Sequence, residues 1–182
     1  MKKTSPKFIV ALACLDFLFY GLFNSSVGPI LEELSVQTGS TLAAVGGVLT
    51  FLFAGSLASM LIVGPLIDRI GQKYVLIVSM TLLIAGMTGF SNAHSLPVMF
   101  AFFLLAGLGQ GAMEIAINLV ITDAYPKNNT GVLNLLHFFF GLGAFLGPAL
   151  VSLMLSLGAQ GRMVLWCAAA AFLLLAVLFL LF

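Results

Sequence analysis

Charge is what this sequence has least of. Seven Lys or Arg and six Asp or Glu make up 7% of its 182 residues, where a soluble domain carries about 25%. A soluble protein of this length does not cover its surface with so few charges, which excludes a cytosolic enzyme. A net charge of +1 is too small to point to nucleic acid or to an acidic partner. Cysteine is scarce too. Cys14 and Cys167 both lie inside apolar runs, where a thiol behaves as a small hydrophobe and not as half of a disulfide framework. A cleaved leader is not expected either. Lys2-Lys3 ahead of Phe8-Ile9-Val10-Ala11-Leu12 imitates a signal peptide, and Ala11-Leu12-Ala13-Cys14 imitates a lipoprotein cleavage box. The apolar run nevertheless continues past Asp16 to about Leu31, long enough to span a bilayer, so the first helix is expected to be retained.

What the sequence has in abundance is apolar length. Its composition is 62% hydrophobic, and its mean hydropathy is +1.20. Apolar runs of spanning length predict an all-α membrane protein with one six-helix bundle over residues 1–182. The spans are expected near 8–31, 40–63, 74–92, 98–121, 130–157 and 163–182. Turn residues punctuate the connectors, as in Thr38-Gly39-Ser40, Ser91-Asn92-Ala93-His94-Ser95-Leu96-Pro97 and Gly158-Ala159-Gln160-Gly161-Arg162. Orientation follows from the basic residues. Lys2, Lys3, Lys7, Arg69, Lys73 and Lys127 fall on one side of such an arrangement, and Arg162 alone on the other. The reading is a multi-pass cell-membrane protein with a cytoplasmic N-terminus. On that reading the sequon Asn128-Asn129-Thr130 faces the cytoplasm, the wrong side for glycosylation.

The polar residues divide the spans. Spans 3 and 6 hold no ionisable acid or base, whereas spans 1, 4 and 5 hold Asp16, Glu114 and His137. Span 1 sets Asp16, Tyr20 and Asn24 on one helical face, and span 4 does the same with Gly107, Gly111, Glu114 and Asn118. Span 5 repeats the rhythm with Asn134, His137, Gly141, Ala144 and Pro148. At 1.5 Å per residue, Asp16, Glu114 and His137 lie at a similar depth, roughly 12 Å inside the membrane from the N-terminal side. They form a candidate polar layer. An intramembrane carboxylate is costly to leave charged, so it can take a proton from one side and release it to the other. Asp16, Glu114 and His137 are therefore the candidate proton-coupling residues. Tyr20, Asn24, Asn118 and Asn134 can hydrogen-bond a small polar solute. The bland reading has His137 bonded to Glu114 or to a backbone carbonyl, locking two helices. No metal or organic cofactor is expected, the proton being the coupling ion.

The most specific motif is Gly64-Pro65-Leu66-Ile67-Asp68-Arg69-Ile70-Gly71-Gln72-Lys73, read as a tight loop between spans 2 and 3. It resembles the signature loop of the major facilitator superfamily, Gly-x-Leu-x-Asp-Arg-x-Gly followed by two basic residues. Gly64, Leu66, Asp68, Arg69, Gly71 and Lys73 match, and Gln72 replaces a base. The resemblance implies a gating loop that helps hold the cytoplasmic side closed. It also implies two inverted three-helix repeats per bundle and a second six-helix bundle, in the same chain or as a partner. Gly109-Gln110-Gly111-Ala112-Met113-Glu114-Ile115-Ala116-Ile117-Asn118 and Leu133-Asn134-Leu135-Leu136-His137 are similar to the sugar:proton symporter branch. Gly143-Ala144-Phe145-Leu146-Gly147-Pro148 resembles instead a motif of drug:proton antiporters. The function these resemblances imply is secondary transport of a small polar solute such as a sugar by alternating access. Drug/proton antiport is the alternative, and a non-transporting membrane subunit stands behind both. Rhomboid-type proteolysis is excluded, since no histidine follows His137.

Overall fold

A computed structural model describes residues 5–127 and 129–181. Lys2 and Lys3 of the orientation count, and Asn128 of the sequon, lie outside the described residues. The described chain is helical: α1 (Pro6–Ser26), a 3-10 turn (Gly28–Ile30), α2 (Leu31–Thr38), α3 (Leu42–Ile70), α4 (Gln72–Phe90), α5 (Leu96–Ala124), α6 (Asn129–Ser156) and α7 (Met163–Leu180). Six of these, all but α2, are long and apolar enough to cross a membrane.

Two boundaries differ from the sequence reading by five residues or more. The first span ends at Ser26, not near Leu31. Pro29 has no N–H to extend the ladder, so the chain tightens into the 3-10 turn and restarts as α2. Apolar residues carry on through this break, which is why hydropathy alone runs past it. α2 stops at Gly39, whose left-handed φ of +63° suits a residue without Cβ. The second span runs seven residues beyond 63, through Pro65 to Ile70. Its 29 residues measure about 44 Å, longer than a hydrocarbon core of about 30 Å, so its polar end stands clear of the apolar layer.

The helices approach closely where one lacks a side chain. A Cβ on Gly21 of α1 would strike the Phe140 carbonyl oxygen of α6, and one on Gly143 of α6 would strike that of Leu18. The pair α3 and α5 repeats this reciprocity, with Gly55 against Leu104 and Gly107 against Leu52. Such contacts let backbones meet by van der Waals packing. Gly21 on α1 and Gly107 on α5 thus play matching parts in two helix pairs.

A polar clasp ties the repeats together at the end of the bundle away from the N-terminus. Glu33 on α2 accepts from the backbone N–H groups of Gly161 and Arg162. The Arg162 guanidinium donates to Gln37 Oε1 at 2.7 Å and to the Ser91 carbonyl at 3.1 Å. Gln37 in turn donates to the carbonyls of Phe90, Ser91 and Ala93. The sequence reading used Arg162 as connector punctuation and in the orientation count, and gave it no partner. Glu33→Ala is expected to cost about 2 kcal/mol, since it strips a charged acceptor from two half-buried amides. Thermal unfolding in detergent checks this, and an unchanged midpoint would remove the clasp from the account.

Candidate functional site

α1 and α5 carry the polar stripes that face each other across the bundle. Tyr20 on α1 donates its hydroxyl to Glu114 Oε2 at 2.9 Å. One turn farther along, Asn24 donates to Gln110 Oε1 at 3.1 Å and to the Tyr20 carbonyl at 3.2 Å. These are two rungs of a ladder between helices that run antiparallel. Asn24 and Gln110 are separated by 86 residues, the same interval as Gly21 and Gly107. Sequence reasoning did not name Gln110 as a site residue. Its signal was present, because Gln110 lies one turn from Glu114 on the same face.

Asp16 behaves differently. It is 0% exposed, and neither carboxylate oxygen has a hydrogen-bond partner. Asn118 is half-buried, with Oδ1 likewise buried and unpartnered. Buried polar groups are nearly always satisfied, so these three oxygens stand apart from the ladder.

The expected three-residue layer is only partly assembled. Glu114 joins the ladder, but His137 does not. It is exposed on α6, with its ring edge-on to Phe17 at 5.5 Å. The bond to Glu114 weighed from the sequence is not made, because Tyr20 occupies that carboxylate and the Phe17 ring meets His137 instead. Asn134 is also exposed, on the same open face of α6. Phe138 and Phe145 stand exposed there as well.

The gating motif is helix, not loop. Gly64, Asp68 and Arg69 lie in the last two turns of α3, Gly71 alone makes the turn with φ of +86°, and Lys73 opens α4. Pro65 costs the helix one backbone hydrogen bond, yet the ladder resumes beyond it and runs on until Gly71, whose N–H still bonds the Ile67 carbonyl. Asp68 and Arg69 are exposed, and among the described residues they form no ion pair. The polar ties at this end come from the neighbouring residues. Gln72 donates to Asp123 Oδ2 on α5 at 2.7 Å, and Lys73 Nζ donates to the Leu180 carbonyl on α7 at 2.8 Å. Gln72, the departure from the motif, thus makes a neutral bond where a base would make an ion pair. Gln72→Arg is expected to raise stability by about 1 kcal/mol at most. The gain is lost at high salt, and unfolding at two ionic strengths reads the difference.

Residues 13–182 match the Major Facilitator Superfamily. Similar proteins include the uncharacterized MFS-type transporter YfkL of Bacillus subtilis (strain 168), 25% identical over 138 residues, 76% of this chain and 35% of that protein. Sodium-dependent glucose transporter 1A of Mus musculus is 26% identical, over 75% of this chain and 32% of its own length. Major facilitator superfamily domain-containing protein 4A of Mus musculus is 31% identical, over 77% and 28%. A crystal structure of a peptide transporter POT, in complex with sulfate, shares the fold with a TM-score of 0.79 at 19% identity, covering 99% of this chain and 38% of that one. The chain spans about a third of the length of the curated relatives it matches. It is a multi-pass membrane protein, not an enzyme, and it belongs to the Major Facilitator Superfamily.

Proposed function

We propose that the chain is the amino-terminal six-helix half of a proton-coupled carrier that moves a small polar solute, such as a sugar, by alternating access. The observation that carries this reading is the α1–α5 ladder, in which Glu114 accepts from Tyr20 and Gln110 from Asn24. An intramembrane acid held by a single hydrogen bond is suited to exchange a proton as its surroundings change. Glu114 and Asp16 are the coupling groups, with His137 on the open face. Tyr20, Asn24, Asn118 and Asn134 contact the solute. The apolar faces of α3 and α6, with Phe53, Leu57, Phe138 and Phe145 exposed, meet a second six-helix bundle and lipid. The N-terminus is cytoplasmic, which sets Asp68, Arg69 and Lys73 at the cytoplasmic gate.

A sugar-class solute is supported by the names of the glucose-transporting relatives. Those names also favour a second reading, in which sodium is the coupling ion. Proteoliposomes distinguish them. Labelled glucose is expected to accumulate under an inward proton gradient and not under a sodium gradient alone. Extrusion of lipophilic dyes without sugar uptake would instead support the drug antiporter.

A further inference from the structure

At the end of the bundle away from the N-terminus, a cavity of about 540 Å³ opens among three connectors. It lies between α2, the turn joining α6 to α7, and the loop joining α4 to α5. That is the size of a site for a small organic molecule. Pro29, Val36 and Leu155 supply much of its apolar wall. No residue of the α1–α5 ladder lines it: Tyr20, Asn24, Gln110 and Glu114 all lie elsewhere.

The polar wall divides into groups that are engaged and groups that are free. Glu33 accepts from the backbone N–H groups of Gly161 and Arg162. The Arg162 guanidinium donates to Gln160, Gln37 and the Ser91 carbonyl. Glu32 and His94 also line the cavity. Both are exposed, and among the described residues neither makes a hydrogen bond. Two acids, Glu32 and Glu33, against one base, Arg162, leave the lining net negative. A neutral imidazole adds an acceptor nitrogen. An apolar wall beside a spare carboxylate is complementary to a cation with a hydrocarbon body. Among the described residues no three Asp, Glu, His or Cys side chains come together to hold a metal ion, so the fitting cation is organic.

We propose that this cavity binds a small organic ammonium ion, its apolar body against Val36 and Leu155 and its charge at Glu32. His94 accepts from the ammonium N–H. Bound there, the molecule bridges α2 to the α6–α7 turn, the segments that Glu33 already joins. It does not compete for the ladder, and its binding requires neither a proton gradient nor a transported solute.

The probe is labelled 2-phenylethylammonium, followed by equilibrium dialysis against the detergent-solubilised protein, with empty micelles as the blank. 2-Phenylethanol and phenylacetate carry a phenyl ring with no charge and with a negative one. The cation is expected to bind about fivefold tighter than the alcohol, the most that one exposed ion pair adds, and phenylacetate more weakly than either. High salt removes the preference. Glu32→Gln breaks no hydrogen bond of the fold, and it is expected to bring the cation down to the affinity of the alcohol. Val36→Trp, at a position 81% exposed, fills the cavity without displacing packed neighbours and abolishes binding of both. Glu114→Gln, in the ladder, leaves binding unchanged. No saturable binding of the cation to the wild-type protein overturns the site. A preference for the cation that is missing, or that survives Glu32→Gln, overturns the role of Glu32. Binding lost in Glu114→Gln but kept in Val36→Trp overturns the location.

Discussion

Glu114→Gln is expected to abolish proton-driven solute accumulation while the bundle stays folded. The glutamine keeps a side-chain oxygen where Tyr20 donates at 2.9 Å, so the rung between α1 and α5 survives. Only the ability to take up and release a proton is removed. A carrier that cannot exchange its coupling ion still binds solute and equilibrates it, because binding and coupling are separable interactions. The expected result is therefore loss of accumulation above equilibrium, with solute exchange retained. Parallel uptake and counterflow assays read the two quantities. Undiminished accumulation would remove Glu114 from the coupling role.

Gly143→Val carries the largest expected effect on stability. The new side chain would have to occupy the space held by the Leu18 carbonyl and the amide of Leu22. Backbone cannot swing aside as a flexible side chain can, so α1 and α6 must separate, at a cost of about 3 kcal/mol. The reciprocal contact, Gly21 on Phe140, would be lost in the same movement. Gly141→Ala is the internal control, two residues away on the same helix. A Cβ there meets nothing within 4 Å, and alanine is the better helix former by about 1 kcal/mol. Its expected change is neutral or stabilising. Thermal unfolding in detergent separates the pair. Equal destabilisation by both would show that helix propensity, not close approach, governs these glycines.

These contrasts show what could be read from the residues alone. The six spans were legible because apolar length is the dominant signal in a membrane chain. Glu114, Tyr20 and Asn24 were legible as stripes because helical periodicity puts them on one face. Partners across helices were not. Periodicity gives the face a residue occupies, but the rotation of one helix against another is set by packing. His137 was thus weighed as a partner of Glu114, whereas its ring packs edge-on to Phe17. The gating motif was read as a loop because its residues are polar and include proline. Polarity signals only departure from the hydrocarbon, and a helix continues into water until a residue such as Gly71 turns it. The clasp of Glu33, Gln37 and Arg162 escaped notice for a related reason, since it joins connectors 128 or more residues apart in its longest link.

The central claim, that solute movement is coupled to protons through the α1–α5 ladder, is tested most directly by watching the protons. Proteoliposomes in weak buffer, with a pH-sensitive dye outside and no imposed gradient, are given glucose. The account predicts an alkaline shift outside as sugar and protons enter together, absent in Glu114→Gln. Sugar entry with no shift in the wild-type protein would contradict it.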